Sequence, residues 1–267
     1  MKKTVFFIFV MLIVLSLFGR NLTATVAVTP NKTHAEKPDT SVFEKLSAFR
    51  AADVEKIIRE AEIERQKNIS EDKQKKKIED TLKNLKKGKT SLRKVFSDTM
   101  FVGDSLINGL EVYDILNNDL LITEVSATLS HLESNIGKIT AANPKELILH
   151  YGLNMLWADE TGTQWFIDDY TELVLELKSA LPYTRIIVSS IFPVDEEIVT
   201  DEIFTHIPRH NKALEKMCKD TGVEFLDSTE LVESDEEYYG PDGIHFVAKF
   251  YSEKWLPFIV ENKGITE

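Results

Sequence analysis

Apolar residues fall along this chain in three regimes. An unbroken run from Val5 to Leu15 continues past Ser16 to Phe18, with Lys2 and Lys3 before it and Gly19 and Arg20 after it. A basic start, an apolar middle and a polar exit predict an export signal or an uncleaved signal anchor, because a spanning helix needs about 20 apolar residues. Thr25 and Ala27 offer small residues for cleavage, so 1–27 is expected to be a signal peptide or anchor. The Lys pair places the remainder outside the cytoplasmic membrane, extracellular or held at its outer face. The Thr, Pro, Asn and Lys content up to Thr40 predicts a flexible linker over 28–40.

In the second regime Val42, Leu46, Phe49, Val54, Ile57, Ile58 and Ala61 share one helical stripe, and Ile78, Leu82 and Leu85 predict a second helix ended by Gly88. The stripe breaks at Lys73, Lys75, Lys76 and Lys77, which argues against a sustained coiled coil. Residues 41–94 are expected to form a basic helical stalk.

After Lys94 strand and helix patterns alternate. Strands are predicted at Thr99–Gly103, Leu120–Val125, Glu146–Gly152, Arg185–Ile191 and Val223–Leu226. Helices are predicted at Ser105–Leu116, Leu129–Ile139, Trp165–Ala180, Arg209–Thr221 and Phe246–Val260. Five strands alternating with helices predict a three-layer α/β/α sandwich around a five-stranded parallel sheet over 95–267, preceded by the helical stalk. Chemistry in such sheets sits at the carboxyl ends of the strands.

Charge divides the chain along the same boundary. The formal net charge of −12 is +9 over residues 1–94 and −21 over 95–267. The acidic part would repel a phosphate backbone, so no nucleic-acid partner is expected, whereas the Lys-rich stalk suits an anionic membrane or envelope polymer. With 43% hydrophobic and 28% charged residues the collagen-like, disulfide-framework and wholly disordered classes are excluded. Cys218, the single cysteine, cannot form an internal disulfide and is expected to be a small buried hydrophobe. His206 and His210 are four apart on a predicted helix but lack the His-Glu-x-x-His pattern, so no metal is expected. No cofactor is expected, since no glycine-rich phosphate loop appears. His150 is expected to be a strand-end residue and His131 a surface residue. Trp157, Trp165 and Phe192 are aromatic residues for a substrate cleft, with core packing expected for at least two of them.

Three short blocks carry the chemistry. The first strand ends Gly103-Asp104-Ser105-Leu106, which puts a serine where the next helix offers backbone N–H groups to a developing negative charge. The third strand ends His150-Tyr151-Gly152-Leu153-Asn154, adding an amide side chain. Near the C-terminus Gly240-Pro241-Asp242-Gly243-Ile244-His245 carries a carboxylate and an imidazole three residues apart, close enough for the acid to fix the tautomer of the base.

Together these residues resemble the SGNH hydrolases, also called the GDSL esterase/lipase family, over most of residues 95–260. Gly103-Asp104-Ser105-Leu106 is similar to the family's first block, Gly152 and Asn154 to the Gly-x-Asn of its third, and Asp242 and His245 to its terminal Asp-x-x-His. The resemblance implies a flavodoxin-like sandwich of the SGNH type. It implies Ser105 as nucleophile, His245 as general base and Asp242 as orienting acid. Oxyanion donors would be the N–H groups of Ser105 and Ser126 and the side chain of Asn154, with Gly103, Asp104 and Gly152 in support and Asp104 bracing the turn. In two places the chain departs from the family. The loop Val125-Ser126-Ala127-Thr128 lacks the glycine of the second block, Ser126 being its positional match, and Met155 stands where an Asp usually follows Asn154.

What this implies is an exported serine esterase that hydrolyses small acyl esters, acetyl foremost, on extracellular or envelope carbohydrate. The same residues would serve an O-acyltransferase. A lysophospholipase or lipase and a non-catalytic surface-binding module are the further alternatives.

Overall fold

The computed structural model describes residues 51–232 and 236–267. The predicted export segment, the linker and the first ten residues of the predicted stalk lie outside the described residues. Among the described residues no helix is long and apolar enough to cross a membrane.

Five strands form one parallel sheet: β1 (Thr99–Gly103), β2 (Leu121–Thr123), β3 (Glu146–His150), β4 (Arg185–Ser189) and β5 (Glu224–Leu226), in the order β2-β1-β3-β4-β5. Every residue of β1 and β3 is buried, which is why their sequences read as near-continuous apolar runs and not as an alternation. The outer strands β2 and β5 are three residues long and mostly half-exposed, leaving little open edge.

The described helices are α1 (Ala51–Lys86), α2 (Leu92–Val95), α3 (Ser105–Val112), α4 (Leu129–Ala142), α5 (Glu160–Ala180), α6 (Ile207–Thr221) and α7 (Leu256–Lys263). Alternate strand residues face two cores. Met100, Val102, Leu147, Leu149, Ile186 and Val188 pack with apolar residues of α4, α5 and α6. Phe101, Ile148, Ile187 and Leu226 pack with those of α2, α3 and α7. The result is the predicted three-layer sandwich, with Cys218 buried in the first core.

One expectation needs correction. The basic segment is not two helices, because α1 runs unbroken through the Lys-rich stretch. Its Lys, Glu and Gln residues are good helix formers, and an exposed helix needs no apolar stripe. The C-terminal part of α1 packs on the sandwich. The compact unit spans Ala61–Glu267. Within it Ile78, Leu82 and Leu85 pack on the second core, and Gln74 donates its side-chain amide to the Gly264 carbonyl at 2.9 Å. Element ends also shift. Helix α5 starts five residues earlier than predicted, where Asp159 accepts the Gly162 N–H at 2.8 Å. The last helix begins as a wide π-turn over Phe250–Trp255 before α7, next to Pro257, whose missing N–H cannot serve the preceding turn.

Candidate active site

The first strand ends at Gly103, directly opposite His150 of β3. A Cβ on Gly103 would lie 2.5 Å from the His150 carbonyl oxygen and 2.7 Å from Ile107 Cγ1, so only glycine lets β1, β3 and α3 approach this closely. Asp104 then caps α3. Its Oδ1 accepts the Leu106 N–H at 3.0 Å, and its carbonyl accepts the N–H groups of Ile107 and Asn108, each at 3.1 Å. Ser105 is the first residue of the helix and half-buried, and its own N–H is one of the helix-start donors that these bonds do not use.

Strand β1 lies between β2 and β3, so the chain leaves it on one side and returns on the other. In parallel sheets such a reversal is the place where ligands bind, outside the carboxyl ends of the strands. Ser105 follows β1 and Asn154 follows β3.

The imidazole that meets Ser105 comes from the far end of the chain. A turn closed by the Tyr239–Phe246 bridge and by Gly240 N–H donating to the His245 carbonyl at 2.6 Å presents Asp242 and His245. Asp242 Oδ1 accepts the N–H groups of Ile244 and His245 at 3.0 and 2.9 Å, and its Oδ2 lies 2.7 Å from His245 Nδ1. A carboxylate at Nδ1 requires the ring to donate there, which leaves Nε2 as acceptor for the Ser105 hydroxyl at 2.9 Å. Partial burial would raise the Asp242 carboxyl, but the hydrogen bonds from the His245 ring, the His245 N–H and the Ile244 N–H outweigh it and bring it to about 2. Asp242 is therefore ionised at neutral pH, the state in which a carboxylate can hold the His245 ring.

Asp104 is the opposite case. Its Oδ2 is buried without a partner, and burial outweighs the Leu106 N–H and nearby His245 to push the carboxyl up to about 7. It braces the turn through the Leu106 N–H.

Ser126 occupies a backbone conformation suited to the glycine it replaces. Its φ is +58°, in a turn closed by Ala127 N–H to the Glu124 carbonyl at 3.3 Å. Glu124 N–H donates to the Gly103 carbonyl at 3.3 Å, which ties the turn to the end of β1, two residues before Ser105. Asn154 sits in a single 3-10 turn over Leu153–Met155 after Gly152, whose φ of +137° and contact with Ile191 leave no room for a Cβ. One N–H of the Asn154 amide is donated to the Ala127 carbonyl at 3.1 Å, so the two loops are tied together and the second N–H remains for a ligand. Met155 fills the Asp position in an altered way. Its sulfur accepts the Leu129 N–H at 3.3 Å at the start of α4, where Thr128 makes no side-chain cap.

Among the remaining sequence candidates, Phe192 is 1% exposed and in the second core, whereas Trp157 and Trp165 are 41% and 58% exposed. The expectation that at least two of these three would be core is thus overturned. His131 is no plain surface residue, since its Nδ1 lies 2.7 Å from the Tyr151 hydroxyl. His150 ends β3 as expected but is fully buried against Phe192, and burial depresses its ring to about 3. His210 Nδ1 bonds the His206 carbonyl at 3.0 Å and Nε2 accepts the Trp157 N–H at 3.2 Å, which commits both nitrogens to structure. Two positioning residues escaped sequence reasoning. Tyr251 donates its hydroxyl to the Leu106 carbonyl at 2.6 Å, and Gly109 makes room for the Tyr251 ring. A glycine inside a predicted helix was the available signal for close packing.

A family model described as GDSL-like Lipase/Acylhydrolase family matches residues 101–252. The chain belongs to this family. It is an ester-cleaving hydrolase of the GDSL type. Among solved structures, a GDSL-like lipase from Parabacteroides merdae is similar at 15% identity and a TM-score of 0.50, over 62% of this chain and 94% of that one. A lipase/acylhydrolase from Enterococcus faecalis aligns at 14% identity and a TM-score of 0.48, over 62% of this chain and 95% of that one. An acylhydrolase from Bacteroides fragilis aligns at 14% and 0.48, over 62% and 85%. The first of these likenesses speaks to the fold alone. No curated protein matches the sequence.

Proposed function

We propose that this GDSL hydrolase is an exported serine esterase that removes short acyl groups, acetyl foremost, from extracellular or cell-envelope carbohydrate. The observation that carries the reading is the unbroken chain Ser105–His245–Asp242 set at the protein surface, with Asp242 and His245 exposed and Ser105 half-buried. An open site of this kind lets an ester carried on a bulky polymer reach the nucleophile. A cavity of about 1160 Å³ beside β4 and β5 is lined by residues such as Asp195, Phe225 and Tyr239, and not by Ser105, Asn154 or His245. Lys2, Lys3 and the apolar run support export, and the Lys-rich part of α1 suits contact with an anionic surface.

The chemistry proceeds by acyl transfer. Ser105 Oγ attacks the ester carbonyl carbon while His245 Nε2 takes the hydroxyl proton, and Asp242 stabilises the charged ring. The carbonyl oxygen becomes an oxyanion held by the N–H groups of Ser105 and Ser126 and by the Asn154 amide. Collapse breaks the bond to the sugar oxygen, which leaves as the hydroxyl with the proton from His245. Water then attacks the acyl-enzyme through the same base, and the acid departs.

Two measurements test the reading. Acetate should be released from acetylated xylan or acetylated peptidoglycan, and kcat/KM on p-nitrophenyl esters should be at least about tenfold higher for acetate than for octanoate. Preference for octanoate without acetate release from glycan would make the protein a lipase. External protease should digest the domain in intact spheroplasts, and protection would contradict export.

A further inference from the structure

Trp157 and Trp165 form a partly exposed corner that begins three residues along the chain from Asn154. Their ring centroids are 5.8 Å apart with planes at 88°. Trp157 is the third residue after Asn154, so their Cα atoms are at most about 11 Å apart. The corner is built in place on one side. A Cβ on Gly162 would lie 2.3 Å from Trp157 Cδ2 and 2.4 Å from Cγ, which means that the indole rests on the bare α5 backbone. Trp157 N–H is bound by His210 Nε2 at 3.2 Å, and its carbonyl is bound by the Arg209 guanidinium. Arg209 in turn donates to Thr163 Oγ1 at 3.2 Å, so α5 and α6 both clamp the residue. Trp165, one turn along α5 from Gly162, stands beside it.

Holding an indole this firmly while leaving it 41% exposed costs apolar hydration that packing could have avoided. The arrangement suits a ligand with a flat apolar face and polar edges, and the ordering has already been done before that ligand arrives. A pyranose ring has this form, with C–H groups on its faces and hydroxyls on its rim. Polar residues neighbour the two indoles along the chain, among them Asp159 and the Gln164–Asp168 amide–carboxylate pair at 2.7 Å. The domain's charge of −21 disfavours a phosphate-bearing polymer or an anionic lipid. We therefore propose that the Trp157–Trp165 corner is a subsite for a neutral glycan chain, stacking one sugar ring and presenting the ester on a neighbouring ring to Ser105. This rests on the carbohydrate-esterase reading above and names the part of the molecule that recognises the polymer.

Trp165 is the residue to vary, because Trp157 is part of the packing. Binding of xylohexaose and chitohexaose to Ser105→Ala protein is measured by calorimetry and by tryptophan fluorescence, against the same protein carrying Trp165→Ala or Trp165→Tyr. At least one of the two sugars should bind, with a change in emission. Trp165→Ala should weaken that binding about tenfold, the scale of one aromatic stacking contact, and Trp165→Tyr should restore most of it. Absence of binding by both sugars, or unchanged affinity in Trp165→Ala, overturns the subsite. So does a response to phosphatidylglycerol vesicles in place of sugar, which would mark a membrane contact, or self-association lost in Trp165→Ala. Hydrolysis of p-nitrophenyl acetate by the unsubstituted enzyme reads the ester chemistry separately, so failure of the subsite and failure of the esterase reading are distinguishable.

Discussion

Tyr251 donates its hydroxyl to the carbonyl of Leu106 at 2.6 Å, across 145 residues of sequence. Leu106 follows Ser105, and Tyr251 lies six residues after His245, so this bond joins the two halves of the candidate site through their supporting elements. Gly109 completes the joint, since a Cβ there would lie 2.3 Å from the Tyr251 oxygen.

Tyr251→Phe should therefore cost about 1–3 kcal/mol of stability by removing the buried donor. Gly109→Ala should cost at least as much through overpacking. Both should lower kcat more than they raise KM, because they shift Ser105 relative to His245 without touching substrate. Denaturant unfolding and steady-state kinetics on p-nitrophenyl acetate check this. Unchanged stability in both variants would mean that the joint carries nothing.

Asp104 predicts a specific pH dependence of stability. Its folded pKa near 7 stands above the ordinary 3.8, so between those values the folded chain keeps a proton that the unfolded chain has lost. Stability then falls as pH rises from about 4 to about 7 and is flat beyond, by at most about 4 kcal/mol. Asp104→Asn keeps an acceptor for the Leu106 N–H and has no charge to bury. Relative to the unsubstituted protein it should gain about 2–4 kcal/mol between pH 4 and pH 8. Parallel stability curves would contradict the buried-carboxyl assignment.

The oxyanion loops give a contrasting pair of variants. Ser126 has the left-handed φ of +58°, which disfavours any residue with a Cβ. Ser126→Gly should leave activity equal or higher and raise stability by up to about 1 kcal/mol. Asn154→Ala should lower kcat by about 100- to 1000-fold with little change in KM, because its amide serves charge that appears only during reaction. Loss of activity in folded Ser126→Gly would show that the serine side chain itself takes part.

The central strands and the residues of the candidate site were legible for definite reasons. Met100 to Val102 and Leu147 to Leu149 are unbroken apolar runs because both faces of the sheet are covered, and the Asp242–His245 spacing is local enough to read directly. The approach of His245 to Ser105 was not local, and only the resemblance of three blocks in order suggested it. The continuity of α1 was missed because a broken apolar stripe was read as a broken helix, although exposed turns with pairs such as Lys67–Glu71 need no stripe. The glycine-like turn at Ser126 was hidden because φ is set by the closing bond from Ala127 to Glu124, which residue type alone does not reveal. The exposure of Trp157 and Trp165 was equally hidden, since it depends on Gly162 and Arg209 holding one of them on the surface of α5.

The most direct test of the account is covalent labelling by a fluorophosphonate, read as a mass shift on the peptide that contains Ser105. The account predicts stoichiometric labelling at Ser105, none in Ser105→Ala, strongly slowed labelling in His245→Ala, and ester hydrolysis in Ser105→Ala reduced by about 10⁴-fold or more. Labelling of a different serine, or undiminished hydrolysis by folded Ser105→Ala, would contradict it.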